Sequence, residues 1–139
     1  MTLVRTAVDE ILSILRERAE QLGVPVVWET RPNTMPERFA GPWLRPAIRH
    51  AGGGQASLTG GLGKRHWDRT GTLFVQIFVP QGSGLGLAHS IGQELLDAYE
   101  GAATPGCVWF RDARLNEVGP DGHYFQVNFL VAFTYTEVK

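Results

Sequence analysis

From Val4 to Leu22 the apolar residues Val4, Ala7, Val8, Ile11, Leu12, Leu15, Ala19 and Leu22 recur every three or four positions, while Arg5, Asp9, Glu10, Arg16, Glu17 and Glu20 fill the other side. That spacing predicts an amphipathic helix with one stripe for a core. Thr2 or Thr6 is placed to cap its start, and Gly23 with Pro25 two residues later is a stop signal. A short strand over 24–29 is expected next. Residues 30–42 hold three prolines, Asn33 and Gly41, follow neither period, and read as a surface loop. Trp43 to His50 is extended, with Leu44 and Ile48 apolar. Pro46 cannot donate to a ladder, so this strand belongs at an edge or a bulge, and an edge is a template for another subunit.

The strongest period of two runs from Thr72 to Val79, with Leu73, Val75, Ile77 and Val79 on one face and Phe74 and Phe78 on the other. A strand apolar on both faces needs cover on both. After Pro80 the glycines Gly82, Gly84 and Gly86 make a tight connection, and Ala88, Ile91, Leu95 and Tyr99 then stack at helical spacing. Gly101 to Gly106 breaks that helix. Cys107 to Val118 is predicted as a strand, Gly119 to Gly122 as a turn, and His123 to Thr136 as a strand with Phe125, Val127, Phe129, Val131, Phe133 and Tyr135 on one face. At ~3.4 Å per residue the last strand runs about 40 Å, twice the common length, so part of it is expected to pair outside its own core. Residues 51–63 contain six glycines in thirteen, and 52–69 is expected to be a mobile loop or a protruding hairpin. Two one-faced helices and several strands ending in a hairpin predict a single α+β domain over 1–139, an antiparallel or mixed β-sheet with both helices packed on one face.

Composition narrows the chemistry. The chain has 139 residues, 43% hydrophobic and 19% charged, and a formal net charge of −1, which exerts no overall pull toward nucleic acid or acidic lipid. Cys107 is the one cysteine, which excludes an internal disulfide framework, and at the head of a strand it is expected to be a buried, inert thiol. No apolar run approaches the ~18 residues of a membrane helix, and the first residues lack an export signal, so a soluble chain is expected, with no membrane partner. Gly82-x-Gly84 is followed by Leu87, and Gly84-x-Gly86 by His89, where a dinucleotide fingerprint needs glycine or alanine. Ser83 reads as a helix cap. His50, His66, His89 and His123 lack ligand spacing, and Glu94 and Asp97 fall on a solvated helix side. No catalytic set, metal or cofactor is expected, and hence no enzyme. Arg45, Arg49, Lys64, Arg65 and Arg69 against Asp68 make one third of the chain basic, read as a solvated loop or as a contact for a partner or a nucleic-acid backbone.

The string Arg69-Thr-Gly-Thr-Leu-Phe-Val-Gln-Ile-Phe-Val-Pro-Gln-Gly-Ser-Gly84, with Gln55-Ala-Ser-Leu58 upstream and Phe133-Thr-Tyr135 downstream, resembles the tail terminator proteins of long-tailed bacteriophages. In length and element order the resemblance spans nearly the whole chain. It implies a structural virion protein that forms a six-membered ring on the finished tail tube, ends its polymerisation and joins it to the head connector. The implied partners are further copies in a homohexamer, the major tail tube protein, the head-tail connector protein and genomic DNA passing through the lumen without sequence readout. The implied location is the neck of the virion tail, after synthesis in the host cytoplasm. A ring needs a heterologous interface, for which Trp43, Leu44, Ile48, Phe74, Phe78, Phe133 and Tyr135 are the candidates. Lys64, Arg65, His66, Trp67 and Arg69 are candidates for a lumen or partner loop. The alternatives are another head-tail joining protein of the neck, and a small-molecule enzyme or binding domain using the Gly82–Gly86 loop.

Overall fold

The run centred on Phe74 becomes an inner strand of a four-stranded sheet in the computed structural model, which describes residues 3–28, 41–55 and 65–138. In chain order the elements are helix α1 (Val4–Leu22), strands β1 (Trp43–Gln55) and β2 (His66–Pro80), helix α2 (Gly84–Tyr99), and strands β3 (Trp109–Asp121) and β4 (Tyr124–Val138). The spatial order is β1-β2-β4-β3, every neighbouring pair antiparallel. The two inner strands pair along their whole length, and the register Leu73↔Val131, Val75↔Phe129, Ile77↔Val127 puts their β-branched and aromatic residues on one face. Both helices lie on that face, and the fold is α+β.

Ile11 and Leu15 of α1 and Ala88, Ile91, Leu95 and Tyr99 of α2 are buried against this face. Tyr99 is the hub. Its ring meets Phe110 edge-on at 5.1 Å and Phe129 at 5.6 Å, and its hydroxyl donates to the Ile11 carbonyl at 2.7 Å, tying α2 to α1. Burial pushes that hydroxyl's pKa far above its ordinary value. Near the surface Arg18 and Glu94 join the helices at 2.8 Å. The Glu10 carboxylate accepts from the Thr104 hydroxyl at 2.6 Å and the Gly106 N–H at 3.0 Å, holding the 103–106 turn against α1. At Gly92 α2 approaches β3 so closely that a Cβ would lie 2.8 Å from the Leu115 methyls.

Several boundaries differ from expectation, each for a local reason. Thr6 does not cap α1, whose N-cap is Leu3 with no side-chain bond; Thr2 lies outside the described residues. The expected strand over 24–29 reduces, among the described residues, to one parallel bridge between Val26 and Leu44. There Val27 N–H donates to the Leu44 carbonyl at 2.7 Å and Leu44 N–H to the Pro25 carbonyl at 3.0 Å. Since Leu44 aims its backbone groups away from β2, so does Pro46 two residues on. The donor that proline lacks is therefore on the outward edge and costs the ladder nothing. β1 does not stop at His50. After a bulge, Gly52, Gly53 and Gly54 pair with Thr70, Arg69 and Asp68, so 52–55 and 66–69 are paired antiparallel arms, and residues 56–64 between them lie outside the described residues.

Cys107 is a correction. It is exposed, with φ +60°, in a turn closed by its own N–H on the Thr104 carbonyl at 2.9 Å. That reversal delays β3 to Trp109. β3 is then bulged twice, near Asp112 (φ +53°) and between Glu117 and Gly119, and a two-residue turn, Gly122–His123, leads into β4.

Candidate assembly surface

The sheet face opposite the helices is assembled by register. Trp43, Arg45, Ala47 and Arg49 of β1 align with Phe78, Gln76, Phe74 and Thr72 of β2, and these with Gln126, Asn128, Leu130 and Ala132 of β4. β3 adds Arg114 opposite Leu130 and Arg111 opposite Ala132. Three residues apart on a regular strand, those arginines would point to opposite faces. The bulge at Asp112 inserts a residue and returns both to the same face. Arg111 and Arg114 were missed in the sequence for that reason. The result is a face with Arg45 and Arg49 along one margin, Arg111 and Arg114 along the other, and Gln76, Asn128 and Phe74 between.

At one end Trp43 stacks on Phe78 at 4.1 Å and 12°, with Tyr124 edge-on to both. The Arg45 guanidinium lies 5.3 Å from the Phe78 ring and 5.8 Å from Trp43, a cation–π contact, and its Nε donates to Gln76 Oε1 at 2.6 Å. The Trp43 indole N–H is buried and meets no acceptor among the described residues.

Most of the apolar residues expected at a subunit boundary are thus covered within one chain. Trp43 and Phe78 shield one another under Arg45, Leu44 and Phe133 are buried in the core, and Tyr135 is closed over with its hydroxyl 2.8 Å from His50 Nε2. Phe74 and Ile48 keep partial exposure. Phe74 lines a shallow depression of about 420 Å³ with Arg45, Ala47, Arg49 and Gln76. Ile48 lies on the other side of the sheet, in a 380 Å³ groove between α1 and β1 with Val8, Leu12 and Trp28. A large apolar residue not singled out in the sequence is open instead: Trp109, 65% exposed, paired with Thr134 on the helix-free face.

The basic loop is only partly gathered. Lys64 lies outside the described residues. Arg65 and His66 are exposed where β2 begins, and Trp67 is half-buried. Arg69 is committed within the chain: it pairs with Glu137 at 3.1 Å and lies over Gly53, where a Cβ would come within 2.5 Å of its Nη1. On the opposite face Thr136 donates to Asp68 at 2.7 Å. Burial raises the Tyr135 pKa and the Glu137 charge adds to this, while Arg69 acts the other way.

Elsewhere the polar groups serve structure. His89 is 3.0 Å from Glu117 and 3.0 Å from the Leu85 carbonyl. The Glu117 hydrogen bond raises the His89 pKa above 6.5 and lowers that of Glu117. Residues 81–83 form a single 3₁₀ turn that runs straight into α2. Among the described residues no three His, Cys, Asp or Glu side chains gather as metal ligands, and no helix is long and apolar enough to cross a membrane.

The fold is shared with solved chains. A chain in the virion of a native gene transfer agent particle shares it with a TM-score of 0.58 and 16% identity, over 93% of each chain. A second solved chain, known only by a serial identifier, matches with a TM-score of 0.62 and 19% identity, over 94% of this chain and 96% of its own. At such identities the likeness is one of fold. No curated protein matches in sequence. The family model described as phage tail terminator protein matches residues 10–104, well over half of the chain. The protein belongs to that family and is a structural protein of phage tails.

Proposed function

We propose that this chain forms a closed homohexameric ring on the end of the finished tail tube, stops further addition of tube protein and offers its other side to the head connector in the neck of the virion. Family membership supports this reading. The structural observation that carries it is the helix-free sheet face: four strands wide, basic at both margins, with Trp109 open and Phe74 half-buried. A two-layer subunit that serves in a ring meets each neighbour through two unlike surfaces, and a sheet with helices on one side only has two unlike faces. DNA entering the head or leaving it passes through the lumen without base readout.

Tube length tests it. Purified chain added to polymerising tube protein should arrest growth and leave a ring at one tube end in negative-stain images. Tubes that grow past it unaltered would refute termination. A ring seen only on the connector would favour the second reading, a different head-tail joining protein of the neck.

A further inference from the structure

We infer that the helix-free sheet face of one copy packs against the helix layer of the next, with arginines on the first meeting carboxylates on the second. This rests on the ring proposed above and assigns the surfaces that close it.

The sheet edges are poor candidates for joining copies. β1 has no outward donor at Pro46, and its outward groups at Leu44 already bond to Pro25 and Val27. β3 is broken by two bulges and lined with charge. Both are devices that blunt strand-to-strand addition. The faces remain. Four strands ~4.8 Å apart, each of about fourteen residues rising ~3.3 Å, present roughly 800 Å², which is the share one partner contributes to an interface of ordinary size. Tryptophan and arginine are the residue types that anchor such interfaces, and here Trp109 is 65% exposed beside Arg111.

Charge selects the occupant. The open face carries Arg45, Arg49, Arg111 and Arg114; of the carboxylates near it, Asp68 is held by Thr136 and Asp112 lies 3.9 Å from Arg111 in an exposed pair, a contact worth little in water. The helix layer, α1 and α2 with Glu100 after it, carries seven carboxylates against three arginines. Arg18 is engaged by Glu94 and Arg16 lies over Trp28. Three of the acids also stand where the helix dipole disfavours them, although Asp97 accepts from the Gln93 amide at 2.9 Å. Glu20 is in the last turn of α1 and Asp97 and Glu100 close α2, at the negative ends of the helix dipoles, and neither helix has a basic residue in its last turn. That placement breaks a local rule, and arginines from a second copy reverse its sign.

The test is charge exchange in the full chain, read by native mass spectrometry and light scattering across a concentration series, alone and on tube ends, with thermal melting to show that each variant is folded. Arg45→Glu with Arg114→Glu, and separately Asp97→Lys with Glu100→Lys, should each raise the concentration for half-assembly about tenfold or more, and all four changes in one chain should restore it to within about threefold of the parent. Variants that assemble like the parent would overturn the inference while leaving the ring intact. Loss in both pairs with no recovery in the combination would overturn the pairing of these two faces. Unchanged assembly with weakened binding of short duplex DNA by the arginine variant would place the face in the lumen and overturn the inference. A parent chain that never assembles, alone or on tubes, would remove the ring and the inference together.

Discussion

Gly71 fixes how Phe133 can lie across the sheet, and replacing it with alanine tests the packing at the junction of core and arm. An ideal Cβ there would stand 2.5 Å from the Phe133 Cζ, 2.5 Å from the Arg49 carbonyl oxygen and 3.0 Å from the His50 Cα. Two of those three atoms are backbone of the paired strand, so rotating one side chain cannot make room. Overpacking of this kind costs ~1–3 kcal/mol, while the stiffer unfolded chain returns roughly 0.5–1 kcal/mol. The clash wins by about 1–2 kcal/mol, which for a domain of this size lowers Tm by roughly 3–8 °C. Gly54 is the control. It pairs with Asp68 in the same two strands but has nothing within 4 Å of its virtual Cβ, so Gly54→Ala should be neutral or stabilising by up to ~1 kcal/mol. Calorimetric or circular-dichroism melts of the two variants beside the parent decide it. Gly71→Ala melting at or above Gly54→Ala would show that Phe133 does not lie over that glycine.

Other consequences follow from single contacts. Tyr99→Phe removes the buried hydroxyl that reaches the Ile11 carbonyl and should cost about 1 kcal/mol in denaturant unfolding; an unchanged midpoint would mean that the bond contributes nothing. Glu10→Ala frees the Thr104 hydroxyl and the Gly106 N–H, so amide exchange over 103–108 should rise at least tenfold while the inner strands keep their protection. The His89–Glu117 pair is pH-dependent in a defined window. The raised His89 pKa contributes stability that is complete below the ordinary 6.5 and is lost as pH climbs through its folded value. The lowered Glu117 pKa contributes stability present above the ordinary 4.5 and lost as pH falls through its folded value. The pair is therefore strongest between these limits, and Glu117→Gln should bring the His89 titration, followed by NMR, back toward 6.5.

The sequence made the core legible because periodicity reports which residues share a face. Leu73, Val75, Ile77 and Val79, the alternate residues from Val127 to Tyr135, and Ala7, Ile11, Leu15 and Ala19 all bury as their spacing predicts. It was less informative about cover. Phe78 and Trp43, read as open to a neighbour, shield one another because Trp43↔Phe78 is a cross-strand pair, a fact of register that no local pattern contains. Arg111 and Arg114 were illegible for the converse reason: a bulge at a left-handed Asp112 changes parity, and nothing in Arg-Asp-Ala-Arg announces it. Cys107 was misplaced by taking an apolar context for a strand, when the preceding Thr104-Pro-Gly forces a turn. The glycines at 52–54, read as part of a mobile loop or a protruding hairpin, extend β1, because Gly53 gives the Arg69 guanidinium room to lie on the sheet and reach Glu137.

Closure of like copies into a ring is what native mass spectrometry of the chain released from capped tubes measures most directly. Six copies of a 15.3 kDa chain give a discrete species of about 92 kDa, with no ladder of open intermediates. A chain that leaves tube ends only as a monomer, or as a ladder of stepwise oligomers with no preferred size, would contradict it.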